Sequence, residues 1–179
     1  ADPGHLCVYL ARFTDGTGAI VEEQLLPVFV GLDASVQTGK TAWELLVREP
    51  LHVNLPQDFR SRYEPDFEMA RQRANQESKQ AILQQANNLR REREEMIGKL
   101  HDDLKRWSDG KRDWIMHRGQ TGQLELGLFE GSTQWRERQL KLVDLKVQQR
   151  EEELERMRIL SAATPELIAV AAVVPGGAL

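Results

Sequence analysis

Two stretches of this chain place apolar residues at helical spacing, and two others carry them as short continuous runs. In the first helical stretch the apolar positions are Ile82, Ala86, Leu89, Met96, Leu100 and Trp107, with Arg93 at the seam position between Leu89 and Met96. In the second they are Leu140, Val143, Val147, Leu154 and Met157, with Arg150 in the gap. Steps alternating between three and four residues keep one face of a helix against a partner, which is the pattern of a coiled-coil seam. Antiparallel pairing sets 86 against 157, 89 against 154, 93 against 150, 96 against 147 and 100 against 143, about a midpoint between Thr121 and Gly122. Registers displaced by three or four residues also align several apolar pairs. The common midpoint, flanked by Gly119 and Gly127, predicts one intramolecular hairpin and not two separate dimerising helices.

Composition supports helix in both stretches. Residues 66–107 contain no proline and a single glycine, Gly98, and residues 132–160 contain neither. Gly131-Ser132-Thr133 predicts an N-cap for the second helix, and Ser108-Asp109-Gly110 an end or interruption of the first. The 26 residues from Ile82 to Trp107 correspond to about 39 Å of helix. The expected arrangement is a helical coiled-coil finger over 58–160 with its tip around 108–131. That tip holds Trp114, Ile115, Met116, Leu124, Leu126, Leu128 and Phe129, suited to a self-packed cap or a docking surface.

The continuous runs lie at the two ends. Leu6–Phe13 and Ala19–Leu32 flank Thr14-Asp15-Gly16-Thr17-Gly18, and Asp-Gly between apolar runs predicts a β-hairpin. Pro27 cannot donate to a ladder, so it predicts a sheet edge or a bulge at its position. Leu167–Val174, bounded by Pro165 and Pro175, reads as a buried strand returning to the same sheet. Residues 41–60 supply one short helix and a turn-rich link. The fold class expected is therefore α+β. A small, mainly antiparallel sheet forms from residues 1–57 and 161–179, with a long antiparallel coiled-coil hairpin inserted into it.

Charge and composition remove several functions. Of 179 residues, 24 are basic and 28 acidic, a net charge of −4, the wrong sign for a free-standing polyanion binder. Residues 1–57 alone hold three basic and seven acidic residues. One cysteine, Cys7, excludes an internal disulfide framework and a cysteine zinc cage, and within a strand it reads as a small buried hydrophobe. No apolar run reaches the roughly 20 residues of a membrane span, and no secretory signal is visible. A cytoplasmic protein without membrane contact is expected. The chain begins Ala1-Asp2-Pro3-Gly4 without an initiator methionine, as a piece of a longer protein would.

The loudest chemical motif, Ala34-Ser-Val-Gln-Thr-Gly39-Lys40-Thr41, fits a relaxed phosphate loop with alanine in place of the first glycine. A working site also needs a carboxylate at the end of a second buried strand to hold magnesium, and Leu167–Val174 ends in Val-Val-Pro-Gly. The motif reads better as a helix-entry turn capped by Thr41, with nucleotide binding through Lys40 as the weaker alternative. The histidines, His5, His52, His101 and His117, stand in no zinc-ligand spacing and read as solvated. Glu151-Glu152-Glu153 reads as a helix face. No catalytic constellation, metal or cofactor is expected. Residues 58–119 hold 14 basic and 12 acidic residues, the interleaving of a solvated coiled coil. Within them Lys105, Arg106, Lys111, Arg112 and Arg118, with Trp107 and Trp114, form one local basic and aromatic cluster. It is the candidate contact for a nucleic-acid backbone or a partner, against the simpler reading of a charged tip.

Several segments together resemble a known family. They are Leu6-x-Val-Tyr-Leu-Ala-Arg-Phe-Thr-Asp-Gly-Thr-Gly18, Glu22-Glu-x-Leu-Leu-Pro-Val-Phe29, the Arg/Glu/Gln-rich insert and the closing apolar strand. This order is similar to the C-terminal region of large bacterial Swi/Snf-type helicases, the RapA/HepA-like proteins, including the helicase associated with DISARM anti-phage defence. The returning helix carries Trp135-Arg136-Glu137-Arg138-Gln139-Leu140, where the family shows a Trp-x-x-Arg-x-x-x-Leu pattern. The resemblance implies a non-catalytic accessory domain whose finger touches duplex DNA or a protein subunit, with motor lobes in the same parent chain and no small-molecule substrate. The phosphate-loop, acidic-box and arginine-finger motifs of the motor are missing from these residues, so the family's ATPase activity falls on none of them. The alternative is a stand-alone adaptor or scaffold that dimerises through its helices.

Overall fold

The structure, a computed structural model, describes residues 3–47, 57–117 and 132–173, with the backbone alone at 57–66 and 132. Among these residues the chain is a mixed helix and antiparallel-sheet protein of the α+β class. Its order is β1 (Gly4–Asp15), β2 (Ile20–Gly31), β3 (Val36–Gln37), α1 (Lys40–Leu46), α2 (Gln57–His117), α3 (Ser132–Arg158), β4 (Leu160–Ala162) and β5 (Glu166–Val173). The chain divides into two compact units. One comprises Ala1–Thr14, Ala19–Asn88 and Ser161–Leu179; the other comprises Asp15–Gly18 and Leu89–Leu160.

In the first unit the strands form one sheet in the order β3-β2-β1-β4, with β5 also pairing β1. The β1–β2 hairpin follows from its turn chemistry. The Asp15 carboxylate accepts the Thr17 amide at 2.9 Å, the Gly18 amide donates to the Asp15 carbonyl at 2.9 Å, and Gly18 takes a φ of 86°. Register then sets Leu6 against Phe29, Cys7 against Val28 and Val8 against Pro27. Pro27 is accommodated because β3 pairs β2 only at Phe29 and Val30, so the proline ring meets no second ladder. The register shift in this pair lies between Phe13 and Thr14 and not at the proline.

Both faces of β1 are covered, so its apolar run is nearly continuous. On one face Cys7, Tyr9, Val28 and Val30 pack with Ala70 and Ala74 of α2, whose small side chains let the helix approach. On the other, Leu6, Val8 and Phe29 pack with Ala42 of α1. β4 and β5 lie along the same edge of β1, interrupted at residues 163–165, where Pro165 breaks the ladder.

Four sequence expectations change here. β5 is largely exposed and not buried, because it sits at the sheet edge and only Leu167 and Val173 reach the two cores. Gly39, at φ 64°, is the N-cap of α1, so Thr41 lies inside the helix and caps nothing. α2 runs unbroken through Ser108-Asp109-Gly110, since the Ser108 hydroxyl donates back to the Lys105 carbonyl at 2.9 Å and satisfies itself within the helix. His5 is buried edge-on to Phe67, with ring centroids 5.8 Å apart, and is not solvated. The expected N-cap at Gly131-Ser132 lies outside the described side chains, as do His52, Arg118 and most of the expected tip.

Candidate functional site

The second unit is assembled from the later part of α2, all of α3 and four residues of the β1–β2 turn. Its contacts run antiparallel. Glu94 pairs with Arg158 at 3.3 Å, and Arg112 pairs with Asp144 at 2.8 Å. Arg93 donates from Nε and Nη2 to the Met157 carbonyl at 3.1 and 2.7 Å, at the C-terminal end of α3 where helix carbonyls lack intrahelical partners. The same guanidinium reaches Asp15 at 2.9 Å. The Gly16 amide donates to the Arg156 carbonyl at 3.0 Å and joins the turn to the same helix end.

These contacts correct the register read from spacing. Arg93 meets Met157 where Arg150 was expected, seven residues further on, while Glu94–Arg158 and Arg112–Asp144 lie nine and thirteen residues from the expected alignment. Steps of three and four residues recur along both helices, so several alignments match apolar positions almost equally well. The seam is corrected as well. Ile97, fully buried, holds the position assigned to Met96, which is 40% exposed, and Ser108 holds that of Trp107. From Ile82 the buried or half-buried positions of α2 are 85, 86, 89, 93, 97, 100, 101, 104, 108, 112 and 115. Along the row 82, 86, 89, 93, 97, 100, 104, 108, 112 and 115 the mean step, about 3.7, is that of an 11-residue repeat and not a heptad.

The residues singled out from sequence divide by partner. Arg106 is ion-paired with Asp103, and Arg112 with both Asp109 and Asp144, which holds the Arg112 guanidinium above its ordinary pKa. Lys111 lies 5.5 Å from the centre of the Trp114 ring, a cation–π contact. Lys105 lines a groove of about 320 Å³ together with His101, Asp109, Arg112, Val147 and Glu151. Arg118 lies outside the described residues. The expected cluster is thus partly neutralised by carboxylates one turn away or on the facing helix. Arg93 was recognised as a polar interruption of the seam, but its role was missed. Its partner Asp15 is 78 residues distant, and no local spacing signals the pair.

Lys40 is almost fully exposed, 4.0 Å from Glu44 on a helix of seven residues. Cys7 is buried, and loss of hydration pushes its thiol pKa up to about 11. Glu153 is ion-paired with Arg150 and Glu152 accepts from Gln148. His117 contacts the Asp113 carbonyl through Nδ1 at 2.8 Å. No group of three or more His, Cys, Asp or Glu suited to a metal occurs among the described residues. No helix of the described residues is long and apolar enough to cross a membrane. No family model, curated protein or solved structure matches the chain.

Proposed function

We propose that the chain is a non-catalytic interaction module, an accessory C-terminal part of a bacterial Swi/Snf-type DNA translocase. Its α2–α3 pair acts as an antiparallel coiled-coil hairpin that engages a partner protein. The observation carrying this reading is the insertion of two long helices between β3 and β4 of a single sheet, with interhelical contacts in antiparallel order. The order of the strand motifs, the insert and the closing strand supports the placement in a translocase. The ion pairing of Arg106 and Arg112 favours a protein partner over duplex DNA, because cations already satisfied by carboxylates release fewer counterions on a phosphate backbone. The exposed Lys111–Trp114 pair is the feature that favours DNA as a second reading.

The test is excision within the parent protein. Ala70 and Ala74 belong to the sheet core, so the deletion begins beyond Arg93: residues 97–153 are replaced by a short glycine-serine link. Partner or DNA engagement should fall while basal ATP hydrolysis persists. Loss of hydrolysis would refute an accessory role. For the isolated chain, light scattering at the 20.5 kDa monomer mass supports the intramolecular hairpin. A stable dimer built on these helices supports the adaptor reading instead.

A further inference from the structure

The α2–α3 pair carries a second apolar surface that its own seam does not use. On α2, Met96, Trp107 and Trp114 are 40%, 39% and 50% exposed, and at 3.6 residues per turn they fall within about 20° of one another. On α3, Trp135, Leu142 and Leu145 are 37%, 49% and 50% exposed and share a face within about 80°.

Helical phase puts both stripes on the same side of the pair. Measured from the buried positions Ser108 and Val143, each stripe is rotated by roughly 80 to 160° toward lower residue phase. For antiparallel neighbours, equal rotation in that sense points the same way. The Glu94–Arg158 and Arg112–Asp144 ion pairs have the opposite phase, as do Lys105, Asp109, Val147 and Glu151 of the groove. The unit therefore has one polar, carboxylate-rich side and one side bearing three tryptophans and three aliphatic side chains.

Charge identifies what would cover the apolar side. Lys111 lies between Trp107 and Trp114, Arg138 between Trp135 and Leu142, and Lys146 one turn after Leu142, so all three border the stripes. None of these cations makes an ion pair with a described residue; of the acids bordering the same side, Asp103 and Glu153 are already paired with Arg106 and Arg150, and Glu92, one turn before Met96, stands against the three cations. A second copy would set these cations against their own kind. Duplex DNA would leave Met96, Leu142 and Leu145 without apolar partners. We infer that this side is the docking surface for an amphipathic helix with an apolar stripe and acidic flanks, supplied by a partner protein. The inference rests on the antiparallel pairing proposed above and names the surface that pairing uses.

The test uses the full chain and three probes. They are a helical peptide of about three heptads with leucine at a and d and glutamate at the flanks, the same peptide with lysine at the flanks, and a short DNA duplex. Tryptophan emission should shift to the blue with the glutamate peptide, which should bind at least roughly tenfold more tightly than the lysine peptide. Leu142→Glu should abolish the shift. The double variant Lys111→Glu/Lys146→Glu leaves every apolar residue in place and should reverse the preference between the peptides. Equal affinity for both peptides, binding of neither, preference for the duplex, or a dimer that Leu142→Glu dissolves would each overturn the inference. The pairing is checked separately by cross-linking Arg112→Cys to Asp144→Cys with a short bifunctional maleimide in a Cys7→Ala background. Cross-linking without peptide discrimination refutes the docking surface alone; failure to cross-link refutes the pairing beneath it.

Discussion

The Arg93 guanidinium lies 2.9 Å from the Asp15 carboxylate, and the same group donates twice to the Met157 carbonyl. One side chain thereby ties a β-turn, the middle of α2 and the end of α3. The Arg93 side chain is 13% exposed and that of Asp15 is 5%. Replacing Arg93 by alanine leaves a buried carboxylate without its guanidinium and should cost about 3 kcal/mol or more in urea unfolding. Combined with Asp15→Asn, the double-mutant cycle should show a coupling of about 1–3 kcal/mol. Additive effects would mean the pair is incidental.

The seam correction has its own test. Ile97→Ala should destabilise by about 2–5 kcal/mol, since it empties a fully enclosed position. Met96→Ala, at the neighbouring exposed position, should cost under about 1 kcal/mol. A heptad seam through Met96 would produce the reverse order, so the two thermal denaturation curves discriminate directly.

Ala34 holds a φ of 68° in the turn between β2 and β3, a conformation that crowds Cβ against the following carbonyl oxygen. The turn persists because Ala34 donates to the Gly31 carbonyl at 2.9 Å and accepts from Arg73 at 2.7 Å. Ala34→Gly keeps both bonds and relieves the crowding. Stability should rise by about 1 kcal/mol, a gain of roughly 2–4 °C in Tm.

Cys7 offers a pH-dependent readout. Its native pKa of about 11 stands above the ordinary thiol value of 9.0, because burial disfavours the thiolate. The native state therefore keeps its proton where the unfolded chain has lost it, and this contribution to stability is complete below pH 9 and declines as pH rises from 9 toward 11. Iodoacetamide should label the native protein poorly at pH 8 and the urea-unfolded protein readily. Rapid labelling of the native chain at pH 8 would place Cys7 in contact with solvent.

The parts legible from sequence are those governed by local chemistry. Asp15-Gly16 announced the hairpin between β1 and β2, the run after Pro165 announced the closing strand, and two stretches without proline, one with a single glycine and one with none, announced the long helices. What spacing concealed was non-local. Several alignments of the two helices match apolar positions, and the contacts of Arg93, Glu94 and Arg112 reveal which one is adopted. Met96 and Ile97 are equally apolar neighbours, and choosing between them requires knowing the helix's phase against its neighbour. The burial of His5 depended on Phe67, far along the chain. Within the candidate cluster, composition indicated the cations but not which carboxylates already held them.

The helical unit is not a continuous piece of polypeptide, because it includes Asp15–Gly18 from near the amino end. Helix zippering alone cannot complete it. The Arg93–Asp15 contact closes a separation of 78 residues, and the entropy of such closure is recovered only when several contacts form together. The β1–β2 hairpin is therefore a prerequisite for the last consolidation step, even though most of the unit's residues are synthesised afterwards. A split or circularly permuted chain that separates the turn from α2 and α3 would lose its final locking event while retaining nearly all of its helix.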